Sequence, residues 1–236
     1  MGDFKTLREQ AFEANLEIPR RALAIYTWGN VSAFDSAAGV FAIKPSGVSY
    51  DALTADSMVV VDLEGKVVWG KLRPSSDTET HRILYRDFAG IGGITHTHST
   101  FATAWAQAGR GVPVFGTTHA DHCAQEIPCT AFLSEQAVKG DYERETGNLI
   151  VETFGKLGTN PLHVQMVLVA GHGPFAWGAD AAKSVYHAAV LEEVCKMAFL
   201  TLQINSDAPS LPAHIIGKHW DRKHGPGAYY GQDGEK

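Results

Sequence analysis

Residues 90–98, GIGGITHTH, form a glycine- and isoleucine-rich run that ends in two histidines with one residue between them. A short run of this kind predicts a β-strand, in which residues i and i+2 point to the same face of a sheet. His96 and His98 could therefore reach one metal ion, although two surface histidines would leave the same pattern.

Elements on both sides of this strand alternate between β-rich and helical patterns. The sequence predicts strands at 31–34, 40–45, 57–63 and 66–70, a strand–turn–strand at 166–178, and helices at 3–24, 77–88, 99–108, 146–158 and 180–204. A Pro-punctuated segment then leads to a polar tail. With no repeat and no long linker, we predict an α/β fold: a single three-layer α/β/α domain over residues 1–236 with a central, mostly antiparallel sheet.

Composition excludes several classes of function. The 236 residues carry 20 Lys and Arg against 26 Asp and Glu, a net charge of −6, which argues against a broad basic surface for nucleic acid or membranes. A small phosphate site remains possible. We expect no signal peptide, because the first residues, MGDFKTLREQ, carry charges where a signal peptide is apolar, and no membrane span, because no apolar run approaches about 20 residues. The three cysteines match no zinc motif. We therefore expect a cytoplasmic protein.

Two further groups could complete a metal site with His96 and His98. His172 stands between glycines at the end of an apolar run, where small neighbours allow close approach. Asp77 follows Ser75-Ser76 where a helix is predicted to begin, so it could be a ligand or only a helix cap. Three imidazoles and one carboxylate suit one divalent ion, most simply Zn²⁺, with Mn²⁺ or Co²⁺ as alternatives.

Three short segments could bind a single phosphate. Lys44-Pro45-Ser46-Gly47 follows a predicted strand, Ser75-Ser76 precedes a helix, and Gly29-Asn30 follows the first helix. Each is also an ordinary turn when taken singly. Asp121, in His119-Ala120-Asp121-His122, could be a general base or a helix cap.

Together these segments resemble the class II aldolase/adducin family, and within it the L-ribulose-5-phosphate 4-epimerases. The resemblance runs from about residue 6 to 232 and is carried by TWGNVSA (27–33), IKPSGV (43–48), PSSDTETH (74–81), GGITHTHST (92–100), WAQAG (105–109), GTTHAD (116–121), ETGN (145–148), HGPFAWG (172–178) and RKHGPGAYYGQ (222–232). One departure is local: the epimerases usually have an aromatic residue after HAD, where this chain has His122-Cys123.

The resemblance implies a metal-dependent epimerisation at C4 of L-ribulose 5-phosphate. It implies metal ligation by Asp77, His96, His98 and His172, and substrate or phosphate contacts from Gly29, Asn30, Lys44, Ser46, Gly47, Ser75 and Ser76. It assigns proton transfer to Asp121 and Tyr230. It also implies a C4 homotetramer with sites at subunit interfaces, where a tail from about residue 213 to 236 would pack.

Four alternatives stay open at this point. A class II aldolase would share the metal site, but it uses a Glu as base near the position of Asp77. An adducin-like interaction module would not be expected to keep three metal-binding imidazoles. A Schiff-base aldolase would need a desolvated Lys44, and a metallohydrolase barrel would usually be longer.

Other residues have more ordinary expectations. His81 is expected at the surface or behind the metal ligands, and Trp28 in the core or in a subunit contact. His219 and Arg222 could steady the phosphate across an interface.

Overall fold

The computed structural model of the chain describes residues 3–229. The strands are β1 (Asn30–Asp35), β2 (Val40–Ile43), β3 (Val59–Asp62), β4 (Val67–Trp69), β5 (Gly93–His96), β6 (Met166–Val169) and β7 (Gly173–Gly178). The helices are α1 (Lys5–Arg20), α2 (Thr78–Asp87), α3 (Thr100–Gln107), α4 (Thr117–Ala120), α5 (Glu135–Lys139), α6 (Tyr142–Leu157), α7 (Ala181–Ile204) and α8 (Ala213–His224).

The strands form one seven-stranded sheet in the order β4-β3-β2-β1-β5-β7-β6, and all its neighbouring pairs are antiparallel. The predicted α/β fold with a central antiparallel sheet is therefore confirmed. Strand β5 lies between β1 and β7, and its last residue, His96, pairs with Asn30 on one side and Phe175 on the other. This register brings three distant parts of the sequence to one end of the sheet.

Helices cover both faces of the sheet. On β3, Val60 packs into one hydrophobic cluster, which includes α1, α3 and α7, whereas Val59 and Val61 pack into the other, which includes α2 and α6. The alternation follows from the two-residue period of a strand. It produces the predicted three layers, with a hydrophobic core on each face of the sheet.

Helix α8 departs from the sequence prediction, which has only a polar tail after residue 204. No residue of this helix is buried, and it belongs to neither hydrophobic core. It packs against α4 of the same chain. Whether the tail also packs against a neighbouring subunit stays a prediction.

Helix α6 begins at Tyr142, four residues before the predicted start, because Asp141 caps it by accepting a hydrogen bond from the backbone N–H of Arg144. None of the helices within residues 3–229 combines the length and the apolar character needed to cross a membrane.

Candidate metal and phosphate site

Three histidines converge where β5, the segment after it and the β6–β7 turn meet. The potential ligand atoms of His96, His98 and His172 all lie within 4.8 Å of one another, and the Nε2 atoms of His96 and His98 are 3.2 Å apart. His96 donates its Nδ1–H to the carbonyl of Pro174 at 2.9 Å, which leaves the lone pair of Nε2 available to bind a metal ion. Nδ1 of His172 is buried without a hydrogen-bond partner in the described chain. The donor set fits a divalent metal ion.

The carboxylate of Asp77 lies in the same cavity. It accepts a hydrogen bond of 2.6 Å from the side-chain amide of Asn30. Asp77 occupies the N-cap position of α2, yet its side chain makes no capping hydrogen bond. The three histidines form a group of mutually close ligand atoms, and the role of Asp77 as a fourth ligand stays a prediction.

Burial and charge set the protonation states of this cluster. Burial raises the pKa of Asp77, but the positive charge that His96, His81 and His172 carry when protonated and the hydrogen bond from Asn30 outweigh it, so the pKa lies below its ordinary value and the carboxyl group is ionised. Burial lowers the pKa of all three histidines, that of His172 to about 4. They are therefore neutral at pH 7, the form that binds a metal.

The predicted phosphate residues line the same cavity of about 570 Å³. Its walls contain Gly29, Asn30, Lys44, Ser46, Gly47, Ser75 and Ser76 beside the predicted metal ligands. The N–H of Ser75 donates to the carbonyl of Lys44 at 2.9 Å, and this bond joins two of the three loops. The structure thus brings the predicted metal and phosphate residues together, while their roles stay predictions.

Lys44 is more enclosed than the other phosphate residues. Its side chain is buried, and its Nζ donates to the carbonyl of Val48 at 2.6 Å. Burial lowers the pKa of this amine. The desolvation that a Schiff-base mechanism requires is therefore present, although the ammonium is also suited to an anion.

Asp121 does not line this cavity. It lies in a second cavity at the end of α4, where Arg222 Nε donates to Asp121 Oδ1 at 2.8 Å and Arg222 also contacts Oδ2. His219 donates to Oδ1 at 3.0 Å, and His224 donates to the backbone carbonyl of Asp121 at 3.0 Å. Burial raises the pKa of Asp121, but the hydrogen bonds from Arg222 and His219 lower it more. The group is an ionised carboxylate held by α8.

The other predicted proton-transfer residue, Tyr230, lies outside the described residues. The last described residue, Tyr229, donates its backbone N–H to the carbonyl of Arg222 at 3.0 Å. Within one chain, Tyr229 is therefore bonded to Arg222, the residue whose side chain contacts Asp121.

Two aromatic residues near the cluster were not predicted as site residues. Trp28 is half exposed rather than part of the core; it lines the cavity, with its ring centroid 6.3 Å from that of His98. The ring of Tyr142 lies 6.0 Å from that of His172. Only the position of Trp28, directly before Gly29-Asn30, could have indicated this from the sequence.

Residues 9–199 match the family model of the class II aldolase and adducin N-terminal domain. The chain belongs to the class II aldolase and adducin family. The resemblance seen in the sequence is confirmed at this level. Class II aldolases are metal-dependent, in agreement with the three converging histidines.

Several solved structures share the fold at low sequence identity. An L-fuculose 1-phosphate aldolase superposes with a TM-score of 0.77 at 22% identity, covering 92% of this chain and 95% of its own. YgbL from Klebsiella pneumoniae superposes with a TM-score of 0.71 at 22% identity, and the match covers 92% of this chain and 99% of YgbL. L-fuculose 1-phosphate aldolase from Glaciozyma antarctica PI12 superposes with a TM-score of 0.74 at 15% identity, and the match covers 92% of this chain and 81% of the aldolase.

Proposed function

We propose that the protein is a metal-dependent enzyme that converts L-ribulose 5-phosphate into D-xylulose 5-phosphate by inverting C4. The observation that supports this proposal most strongly is the single cavity in which three neutral imidazoles and the Asp77 carboxylate face a set of hydroxyl and amine donors. One part of the cavity suits a divalent ion, and the other suits a phosphate group.

The phosphate would be bound by the loops that contain Ser46-Gly47 and Ser75-Ser76. Hydroxyl groups, backbone N–H groups and the Lys44 ammonium are the donors that proteins use for this anion. Because these loops are hydrogen-bonded to each other at Ser75 and Lys44, they would hold the phosphate while the rest of the substrate changes position.

The reaction requires cleavage of the C3–C4 bond, because the hydrogen on C4 is not adjacent to the C2 ketone. A base removes the proton from the C4 hydroxyl, the C3–C4 electron pair passes to C3, and the products are an enediolate and glycolaldehyde phosphate. The aldehyde rotates to present its other face, the bond re-forms at C4, and the new alkoxide takes a proton. A divalent ion bound by the imidazoles would act as a Lewis acid toward the developing charge on the C2 and C3 oxygens.

Opposite faces of the aldehyde require a proton-transfer group on each side. We assign these roles to Asp121 and Tyr230. Because Asp121 lies outside the histidine cavity of its own chain, we propose that a neighbouring subunit supplies it, within a C4 homotetramer. The three cysteines are free thiols, which fits the reducing cytoplasm that we propose as its location.

Mixed oligomers test the shared site. His98→Asn removes an imidazole from one cavity, and Asp121→Asn removes the carboxylate of the other. Each variant alone should be inactive, but mixed tetramers would contain some sites with both groups intact and should recover part of the activity. Inactive mixed oligomers of verified composition would contradict a site shared between subunits. This result would not contradict the proposed epimerisation, which the next experiment tests.

The central experiment follows the sugar products. Metal-loaded protein is incubated with L-ribulose 5-phosphate, with and without a chelator, and D-xylulose 5-phosphate should form only without it. Accumulation of dihydroxyacetone and glycolaldehyde phosphate without the epimer would instead indicate a class II aldolase.

The aldolase is the second candidate, because the fold is also that of proteins named L-fuculose 1-phosphate aldolase. L-Fuculose 1-phosphate is therefore the comparison substrate. Borohydride trapping in the presence of each substrate would label Lys44 only if the enzyme used a Schiff base.

A further inference from the structure

A buried chain of hydrogen bonds runs from α2 to β1 behind the histidine cluster. His81 is fully buried, and its Nδ1 lies 2.7 Å from Oγ of Ser32. Oγ of Ser32 is in turn 2.6 Å from the hydroxyl of Tyr85, which also lies 3.2 Å from the backbone carbonyl of Ser32. The other ring nitrogen, Nε2 of His81, is buried without a hydrogen-bond partner among the described residues.

Helix position and ring packing connect His81 with the proposed metal ligands. Asp77 is one helical turn before His81, whose backbone N–H donates to the carbonyl of Asp77 at 3.0 Å, so the two side chains share a helix face. The His81 ring packs edge-on against Phe175, whose ring stacks on His96 with centroids 4.2 Å apart. A buried imidazole with one unused nitrogen at this position requires an explanation.

Two directions of donation are open to this chain. The Tyr85 hydroxyl can donate to the backbone carbonyl of Ser32, with Nδ1 of His81 carrying the proton, or it can donate to Oγ of Ser32. The second direction places the proton of His81 on Nε2. The hydroxyl of Tyr85 can donate to Ser32, which leaves the hydroxyl proton of Ser32 free to be donated to Nδ1 of His81. Full burial keeps the imidazole neutral. A neutral ring that accepts at Nδ1 has its proton on Nε2, the nitrogen without a partner.

We propose that Tyr85, Ser32 and His81 form a positioning chain that directs an Nε2–H toward the Asp77 carboxylate and so orients this carboxylate for metal binding. Asn30 already holds one oxygen of Asp77, and His81 would restrain the carboxylate from the side of the protein core. Hydrogen bonds to metal-ligating groups orient them and raise metal affinity. The inference rests on the proposed metal site and extends it to residues that do not line the cavity.

Cobalt binding tests this role without measuring catalysis. Co²⁺ is titrated into metal-free protein, and the visible absorption of the bound ion gives both the affinity and the coordination geometry. His81→Phe keeps an aromatic ring but removes the donor, and we expect the Kd for Co²⁺ to rise about 10- to 100-fold, the usual range for a hydrogen-bond partner of a ligand. His81→Gln places an amide N–H near the position of Nε2 and should recover most of the affinity.

Two variants separate positioning from general loss of structure. Ser32→Ala keeps His81 but removes the hydroxyl that fixes its proton, so it should weaken Co²⁺ binding and change the spectrum even where folding is intact by circular dichroism. His187→Gln is the matched control, because His187 is also buried and bonded through Nδ1, to the carbonyl of Trp177, but lies outside this chain of contacts. It should bind Co²⁺ like the wild type.

The outcomes distinguish this inference from the proposed function. If the wild type does not bind Co²⁺, the proposed metal site itself is wrong. If the wild type binds and both His81→Phe and Ser32→Ala match its affinity and spectrum, the positioning role is overturned. Equal weakening by His81→Phe and His81→Gln would also refute it, since the donor would then not matter.

Discussion

Replacing Gly29 by alanine should disturb the candidate site through the backbone of the segment that carries His96 and His98. Gly29 has φ +83°, and a Cβ built on it would lie 2.7 Å from the carbonyl oxygen of His96 and 3.3 Å from Cα of Thr97. Both atoms belong to the backbone of the segment that carries the histidine pair, so neither can move away by a simple rotation.

Two costs add in this variant. A left-handed conformation costs a residue with a Cβ about 1–2 kcal/mol, and forcing an extra carbon into a packed region costs about 1–3 kcal/mol more. We therefore expect Gly29→Ala to lower the free energy of unfolding by about 2–5 kcal/mol. Because relief of the contact displaces His96, metal affinity should fall as well.

Two other glycines isolate the contribution of the close contact. Gly39 and Gly47 have φ +66° and +71°, and a Cβ on either would meet no other atom within 4 Å. Gly39→Ala, outside the cavity, and Gly47→Ala, within it, should each cost only the conformational part, about 1–2 kcal/mol. Urea denaturation of the three metal-free variants measures the difference. A loss in Gly29→Ala no larger than in the other two would refute the contact argument.

Four further expectations concern the ligands, the substrate and pH. His98→Asn should reduce bound metal to well below one ion per subunit and abolish turnover; full occupancy by elemental analysis would remove the proposed metal site. Ser75→Ala should raise KM for L-ribulose 5-phosphate about 10- to 100-fold, because a charge-assisted hydrogen bond contributes about 1.5–3 kcal/mol; an equal effect on unphosphorylated L-ribulose would exclude a phosphate contact. Tyr230→Phe should lower kcat about 10²- to 10⁴-fold while Tyr229→Phe stays near the wild type, and a wild-type rate for Tyr230→Phe would remove its proton-transfer role. Burial lowers the pKa of His187 in the folded protein to about 4, whereas in the unfolded chain this residue titrates near 6.5. As the pH falls, the unfolded chain therefore binds the proton first, and the stability associated with the neutral ring is present above about pH 6.5 and is lost toward pH 4. The urea midpoint of His187→Gln should decline less steeply than that of the wild type over this range.

The sheet could be predicted from sequence because its strands have short, local signals. The run before His96 and the strand–turn–strand around His172 both appear where apolar runs meet glycines. Helix α8 was not predicted, and none of its residues is buried. Its place is set by contacts with Asp121 from residues about a hundred positions away in the chain, and local patterns do not contain that information.

The two halves of the candidate site also differ in how far the sequence could predict them. The histidine pair follows from strand geometry alone, because alternate residues share a face. The cavity shared by Lys44 and Ser75 depends instead on a hydrogen bond between two loops. The role proposed for His81 needed the position of Ser32 on β1, between His81 and Tyr85 of α2, so the sequence left His81 between a surface residue and one behind the ligands.

The meeting of β1, β5 and β7 at one end of the sheet makes the proposed ion a crosslink between distant segments. Its proposed ligands come from the start of α2, from the end of β5 and beyond, and from the β6–β7 turn. An ion bound only by the folded chain, at a free concentration 100 times its Kd, adds about 2.7 kcal/mol to stability. The supply of metal would therefore govern how long the folded protein persists against proteolysis, and not only how fast it turns over its substrate.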